Sequence, residues 1–143
     1  MSEAWWWELP ENRSVETLER DACRRLLAGR HAGRFAYSGP FGPGILPLSY
    51  TVIDEYVLLL TSPRSDAARE ITQRRVAFEV DDLDEELREG WSVQVRGFAE
   101  LLPDDAIRML DASQRPHPWV TGDRSLLIRI LMSDVTGRRV RAH

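Results

Sequence analysis

Residues 91–102 read Trp91-Ser92-Val93-Gln94-Val95-Arg96-Gly97-Phe98-Ala99-Glu100-Leu101-Leu102, a long stretch in which apolar and polar positions alternate. A period of two over this length predicts an extended strand with one face on a core and the other outward, the longest ribbon of a sheet. The flanking segments agree with it. Val76-Ala77-Phe78-Glu79-Val80, Gly33-Arg34-Phe35-Ala36-Tyr37, Ile45 to Val52, Ser125 to Leu131 and Val135 to Val140 are short strand-like runs broken by turn residues. Tyr56-Val57-Leu58-Leu59-Leu60 is almost wholly apolar, the pattern of a strand covered on both faces. The cluster Ser38-Gly39-Pro40-Phe41-Gly42-Pro43-Gly44 and the pair Asp54-Glu55 predict turns between neighbouring strands.

Three segments predict helix. From Thr17 onward, Leu18, Ala22, Cys23, Leu26 and Leu27 recur at helical spacing and Gly29 follows as a stop, which places Cys23 in the core. Ser65 predicts the cap of a short helix through Gln73, and Pro103-Asp104-Asp105 opens another that runs to about Asp111. Many short strands with a few short helices predict a mainly β, α+β chain: an antiparallel, closed or nearly closed barrel. The expected organisation is a single domain over residues 17–143 behind an N-terminal extension, residues 1–16. Trp5-Trp6-Trp7 in that extension is expected to pack onto the barrel or a partner chain, because three adjacent indoles in water form an apolar patch.

Composition excludes several chemistries. All 19 basic residues among the 143 are arginine, so no lysine is present to form a Schiff base or a P-loop phosphate contact. A net charge of -4 without a basic stripe argues against nucleic-acid binding, and no run approaches the roughly 20 apolar residues of a membrane span. The single cysteine, Cys23, forms no intrachain disulfide, and the opening residues lack the pattern of a secretory signal, so a cytoplasmic location is expected. His31, His117 and His143 lie in no zinc motif and no Gly-x-Ser-x-Gly elbow accompanies them. His31 is expected to bond the last carbonyls of the first helix, whereas His117, in Arg115-Pro116-His117-Pro118-Trp119, stands where it can border a pocket. The acidic run from Asp81 to Glu89 lacks the glycine and ligand register of a calcium loop and is expected to be a solvated connection, so no metal site is predicted.

Four segments in order, Leu26 to Ala36, Leu46-Pro47-Leu48-Ser49-Tyr50, Val76 to Asp81 and Gly90 to Gly97, resemble the pyridoxamine 5'-phosphate oxidase-like family over nearly the whole chain. Pro118-Trp119 and Thr136-Gly137-Arg138-Arg139 look like the C-terminal part of its actinobacterial members. The resemblance implies a split barrel that forms a homodimer with flavin mononucleotide (FMN) at the interface. It implies that backbone groups beside Pro47, Leu48, Ser49 and Tyr50 meet the flavin ring, and that Thr61, Ser62, Arg64 and Ser65, with Arg69 one turn on, cradle its phosphate. Trp91, Ser92 and Trp119 border the ring by the same resemblance, Trp119 from the other subunit. Asp66 stands where relatives often carry a basic residue, and its charge opposes a phosphate unless the nearby arginines outweigh it.

The implied activity is a flavin-dependent oxidoreductase accepting hydride from a reduced nicotinamide or a small substrate, with no catalytic side chain identified. The alternatives are a protein that sequesters or senses flavin without turnover, or a pocket holding a deazaflavin cofactor or haem. Arg64, Arg69 and Arg74 would serve a deazaflavin's anionic tail, and His31 or His117 would have to ligate haem iron.

Overall fold

The computed structural model describes residues 13–65, 68, 75–118 and 126–142. Its eight strands are β1 (Arg13–Thr17), β2 (Ala32–Gly39), β3 (Gly42–Ile53), β4 (Tyr56–Thr61), β5 (Arg75–Asp84), β6 (Glu89–Leu101), β7 (Leu126–Leu131) and β8 (Asp134–Ala142). Two short helices, α1 (Arg20–Ala28) and α2 (Asp104–Arg108), and a single 3-10 turn, Ala112–Gln114, complete the described elements. The strands form one antiparallel sheet in the order β1-β8-β6-β5-β2-β3-β4-β7, and β7 returns to pair with β6. That pairing closes β6, β5, β2, β3, β4 and β7 into a barrel, with β8 and β1 continuing from β6 as a flap.

The long ribbon makes this closure possible. One edge of β6 pairs with β5 along its length, while the other edge is shared. Gly90 to Arg96 pair with β8, and Ala99 to Leu101 pair with β7. The chain from Leu131 to Asp134 therefore crosses from one strand to the next over Gly97. A Cβ on Gly97 would lie 2.1 Å from the Leu131 carbonyl oxygen, so this crossing requires glycine. Around it, the Met132 amide donates to the Glu55 carbonyl at 2.8 Å and Arg20 donates to the Met132 carbonyl at 2.8 Å. Arg20 and Arg24 also grip the Glu55 carboxylate at 2.8 and 2.9 Å, which ties α1 to the β3–β4 turn and holds that carboxyl below its usual range.

The inward rows alternate as expected. Phe35, Tyr50, Phe78, Val80, Val93, Val95, Ile128 and Ile130 fill the barrel, and Tyr50 meets Phe78 edge to face at 4.9 Å between ring centres. The helix α1 closes one side with Cys23 and Leu27, both fully buried. Cys23 sits where a Cβ on Gly137 would meet its sulfur at 2.6 Å, and burial pushes its thiol up in pKa, as befits a core residue. Strand β4 is buried on both faces: Val57 and Leu59 point inward, and Leu58 and Leu60 form a second cluster with Leu127, Ile107 and Leu110.

The Tyr50 hydroxyl, buried in this core, donates to the Leu27 carbonyl and fastens α1 to β3. Burial drives its ionisation well above the ordinary tyrosine range. Among the described residues, Tyr50→Phe leaves that carbonyl only the Arg30 amide, at 3.3 Å, and is expected to lower stability by about 1–2 kcal/mol. Chemical denaturation followed by tryptophan fluorescence measures the shift.

Four sequence expectations shift. Thr17 ends strand β1 rather than starting a helix, and Arg13 to Glu16, placed before the domain, pair with β8 as part of the sheet. The acidic run is not a loop up to Asp84: β5 continues through it, because Asp81 and Asp82 are matched by Arg34 and Arg30, and the turn is confined to residues 85–88. His31 is exposed, and the helix-end carbonyls of Leu26 and Leu27 are taken by the Gly29 and Arg30 amides. The helix predicted from Pro103 is shorter, ending at Arg108, and Asp111 instead caps the 3-10 turn with a reciprocal Asp111–Gln114 pair. None of the described helices is long and apolar enough to cross a membrane, and no group of three or more metal-ligating side chains converges among the described residues.

Candidate functional site

Strand alternation places two rows of β3 on opposite faces. Leu46, Leu48 and Tyr50 turn toward the core, so Pro47, Ser49 and Thr51 face out. Ser49 stands opposite Ala32 on β2 and Leu60 on β4, and these three residues form the floor of an outward-facing cavity of about 410 Å³. Pro47, Leu46 and Leu48 border the floor. Thr61, Ser62 and Ser65 wall one end, where the chain leaves β4, and Pro118 closes another side. The segment carrying Pro118 is held over β3 by Thr51, whose hydroxyl donates to the Gln114 carbonyl at 2.7 Å. Small side chains at Ala32 and Ser49 leave the floor low, which is why a cavity exists between leucines and prolines.

The hydroxyl end has a defined polarity. Ser65 donates to the Ser62 carbonyl at 2.9 Å and accepts from the Ala68 amide at 3.1 Å, while the rest of the helix expected from Ser65 to Gln73 lies outside the described residues. Thr61, 2% exposed, lies 3.3 Å from Ser65 Oγ, and since the Ser65 proton is committed, Thr61 is the donor. Ser62 Oγ accepts from the Arg64 amide at 3.2 Å. Among the described residues its own proton has no acceptor, so it is the group ready to donate to an incoming anion. The Arg64 side chain is exposed, makes no ion pair among the described residues, and lies between two cavity residues without lining the cavity itself. Among the described residues, none that lines the cavity is charged.

Of the positions singled out in the sequence, Pro47, Leu48, Ser49, Thr61, Ser62 and Ser65 thus meet at one cavity. Tyr50 does not reach it: its side chain is in the core and its amide donates to the His31 carbonyl at 2.9 Å, so neither group is available to a ligand. Trp91 belongs to the inward row of β6, packed on the core, with the Arg30 guanidinium 5.7 Å over its ring. It borders a separate cleft with Asp82, Asp84 and Arg139. Ser92 faces outward opposite Asp81 and Arg138, two strands away from Ala32. Arg69, Asp66, Arg74, Trp119 and Trp5-Trp6-Trp7 lie outside the described residues. His117 is exposed and is not part of the cavity wall, although its neighbour Pro118 is. Sequence reasoning missed Ala32 and Leu60 as lining residues, since only strand register puts them beside Ser49.

Residues 19–139 match the pyridoxamine 5'-phosphate oxidase family. The chain is 36% identical over 133 residues to an uncharacterised protein of Mycobacterium tuberculosis, covering 90% of this chain and 87% of that one. Among solved structures it is similar to an FAD-binding protein from Mycobacterium smegmatis, at 29% identity and a TM-score of 0.68, covering 90% of this chain and 100% of that chain. It is also similar to an FAD-binding protein from Mesorhizobium loti, at 28% identity and a TM-score of 0.72, covering 87% and 97%.

Proposed function

Because the chain belongs to the pyridoxamine 5'-phosphate oxidase family, we propose that the cavity over β2, β3 and β4 holds a flavin, FMN, and serves a flavin-dependent oxidoreductase. The observation that carries this reading is the cavity's division into an apolar floor and a hydroxyl end. Its volume of about 410 Å³ falls within the roughly 300–1,000 Å³ of small-molecule sites. A planar ring system suits the Ala32–Ser49–Leu60 floor, and a phosphate suits the free Ser62 proton, with Arg64 close enough in sequence to add charge. The bound flavin supplies hydride-transfer chemistry. The chain's residues bind and orient it: the leucines and prolines exclude water from the ring, and the Thr61–Ser65–Ser62 network keeps the phosphate end rigid. Arg69, and Trp119 from a second subunit, are part of the same proposal, as is the homodimer that covers the outward floor. In that dimer Trp91 and Ser92 would serve the other copy's cavity, because within one chain they stand apart from it.

FAD is the second reading, favoured because two solved relatives near 30% identity are FAD-binding proteins. Among the described residues, His31 and His117 do not line the cavity. Mass spectrometry of cofactor released from purified protein, followed by fluorescence titration with FMN and FAD, tests the assignment. Saturable binding of either supports a flavin site, and binding of neither overturns it. Stopped-flow mixing of the loaded protein with reduced nicotinamide, then with an electron acceptor, separates an oxidoreductase from a sequestering protein: bleaching of the flavin band marks reduction, and its return with the acceptor marks turnover.

Ser62→Ala is expected to weaken FMN binding about tenfold or more, from loss of a hydrogen bond to a charged group, while leaving riboflavin affinity and the melting temperature nearly unchanged. Parallel titration of the two ligands checks this, since only FMN carries the phosphate.

A further inference from the structure

Beside the cavity, on the same outward face, lies a charge cluster that flavin binding as described leaves unused. Arg34 on β2 stands opposite the cavity residue Pro47 on one side and opposite Glu79 of β5 on the other. Its Nη1 donates to Glu79 Oε1 at 2.7 Å and to Asp81 Oδ2 at 2.8 Å. Glu79 and Asp81 are two apart on β5 and so share a face. One guanidinium therefore serves two carboxylates, and the cluster is charged -1 when both are ionised and neutral when Glu79 carries a proton. The carboxylates are the sheltered members: the side chains of Asp81 and Glu79 are 15% and 34% exposed, against 55% for Arg34.

The surroundings supply little further positive charge. Opposite Glu79 on β6 is neutral Gln94. Arg96, on the same outward row, is paired with Asp134 of β8 at 3.5 Å. Opposite Asp81 is Ser92, beyond which stands Arg138 of β8. From β3 the neighbour is Pro47, which is uncharged. Burial first, then the hydrogen bond to and repulsion from Asp81, hold the Glu79 carboxyl up to about 7 against the lowering effect of Arg34.

We propose that Arg34, Glu79 and Asp81 form a proton-linked switch beside the flavin cavity, which admits an anionic ligand more readily when Glu79 is protonated than when it is ionised. The proposal rests on the cavity being a flavin site. Strands are spaced about 4.8 Å apart, so Arg34 lies roughly 10 Å and Glu79 roughly 15 Å across the sheet from β4 and its hydroxyl end. At that range one unit of charge acting on a phosphate changes affinity by about threefold at low salt. The sign follows from linkage. An anion in the cavity favours the protonated cluster, so affinity for FMN falls as pH rises through about 7, and binding takes up a fraction of a proton.

Two measurements on the intact protein decide it. The Glu79 carboxyl carbon, followed by NMR, is expected to titrate near neutrality, whereas a midpoint near an ordinary glutamate's ~4.3 overturns the switch. FMN and riboflavin are then titrated at pH 6 and pH 8 in low salt with the wild type and Glu79→Gln. The phosphate's own ionisation is common to both proteins and cancels in their ratio. For FMN the wild type is expected to lose about threefold more affinity than the variant between the two pH values, with no such excess for riboflavin or in 1 M salt. Equal pH dependence in the two proteins overturns the coupling while leaving the flavin site standing. Absence of FMN binding in both, with Glu79 still titrating near neutrality, overturns the flavin site and the switch's role in it together.

Discussion

Gly97→Ala is expected to cost about 3 kcal/mol or more and to lower the melting temperature by about 10 °C or more, the largest stability loss among single-methyl additions to the glycines of this sheet. The added carbon would sit 2.1 Å from the Leu131 carbonyl oxygen, 3.2 Å from its carbon and 3.3 Å from Ile130 Cγ2. Two of these atoms are backbone, and that backbone is fixed by the Met132 amide on Glu55 and by Arg20 on the Met132 carbonyl. Relief would require moving the crossing where β7 gives way to β8 on the shared edge of β6. Total stability of a domain this size is roughly 5–15 kcal/mol, so the loss is a large fraction of the whole. Gly29→Ala is the control. Its Cβ would meet only the Leu26 and Arg25 carbonyls at 3.6 and 3.7 Å, and Gly29 has an ordinary right-handed φ of -85°. Calorimetry showing equal shifts for the two variants would refute the role given to the crossing.

Ala32→Trp is expected to abolish flavin binding, with an affinity loss of a hundredfold or more, while the protein remains folded. Ala32 lies in the floor opposite Ser49, and an indole there would occupy the volume the ring needs. The side chain faces outward and is only partly buried, so it displaces no core atom and the melting temperature should move little. Unchanged FMN affinity in this variant would place the ligand elsewhere. The cleft that Trp91 borders with Arg139 would then be the next location to test.

Much of the fold was legible in the chain because strand burial repeats every two residues. Val93, Val95 and Ala99 on one side of the ribbon and Gln94 and Arg96 on the other declare their faces without reference to any partner. The both-faces burial of β4 was equally readable from Val57 to Leu60. The start of the sheet was not, since Arg13 to Thr17 carry no strong pattern and are strand only because β8 offers them an edge. The continuation of β5 into the acidic run was hidden for a related reason. Asp81 and Asp82 look like loop until Arg34 and Arg30, some fifty residues earlier, come alongside.

The same division runs through the site. Sequence alone determined the chemistry on offer: an apolar segment around Pro47 to Ser49, a hydroxyl-rich turn from Thr61 to Ser65, arginine as the only strong cation, and a family resemblance implying flavin. Only the tertiary structure decided which of these residues meet. Register set Ala32 and Leu60 beside Ser49, turned Tyr50 into the core, and carried Trp91 to a different cleft. It also brought Arg34 against Glu79 and Asp81. The physical reason is that periodicity is a local property of the backbone, fixed by where each side chain must point. Adjacency across a sheet depends on hydrogen-bond pairing between distant segments, which no single segment encodes.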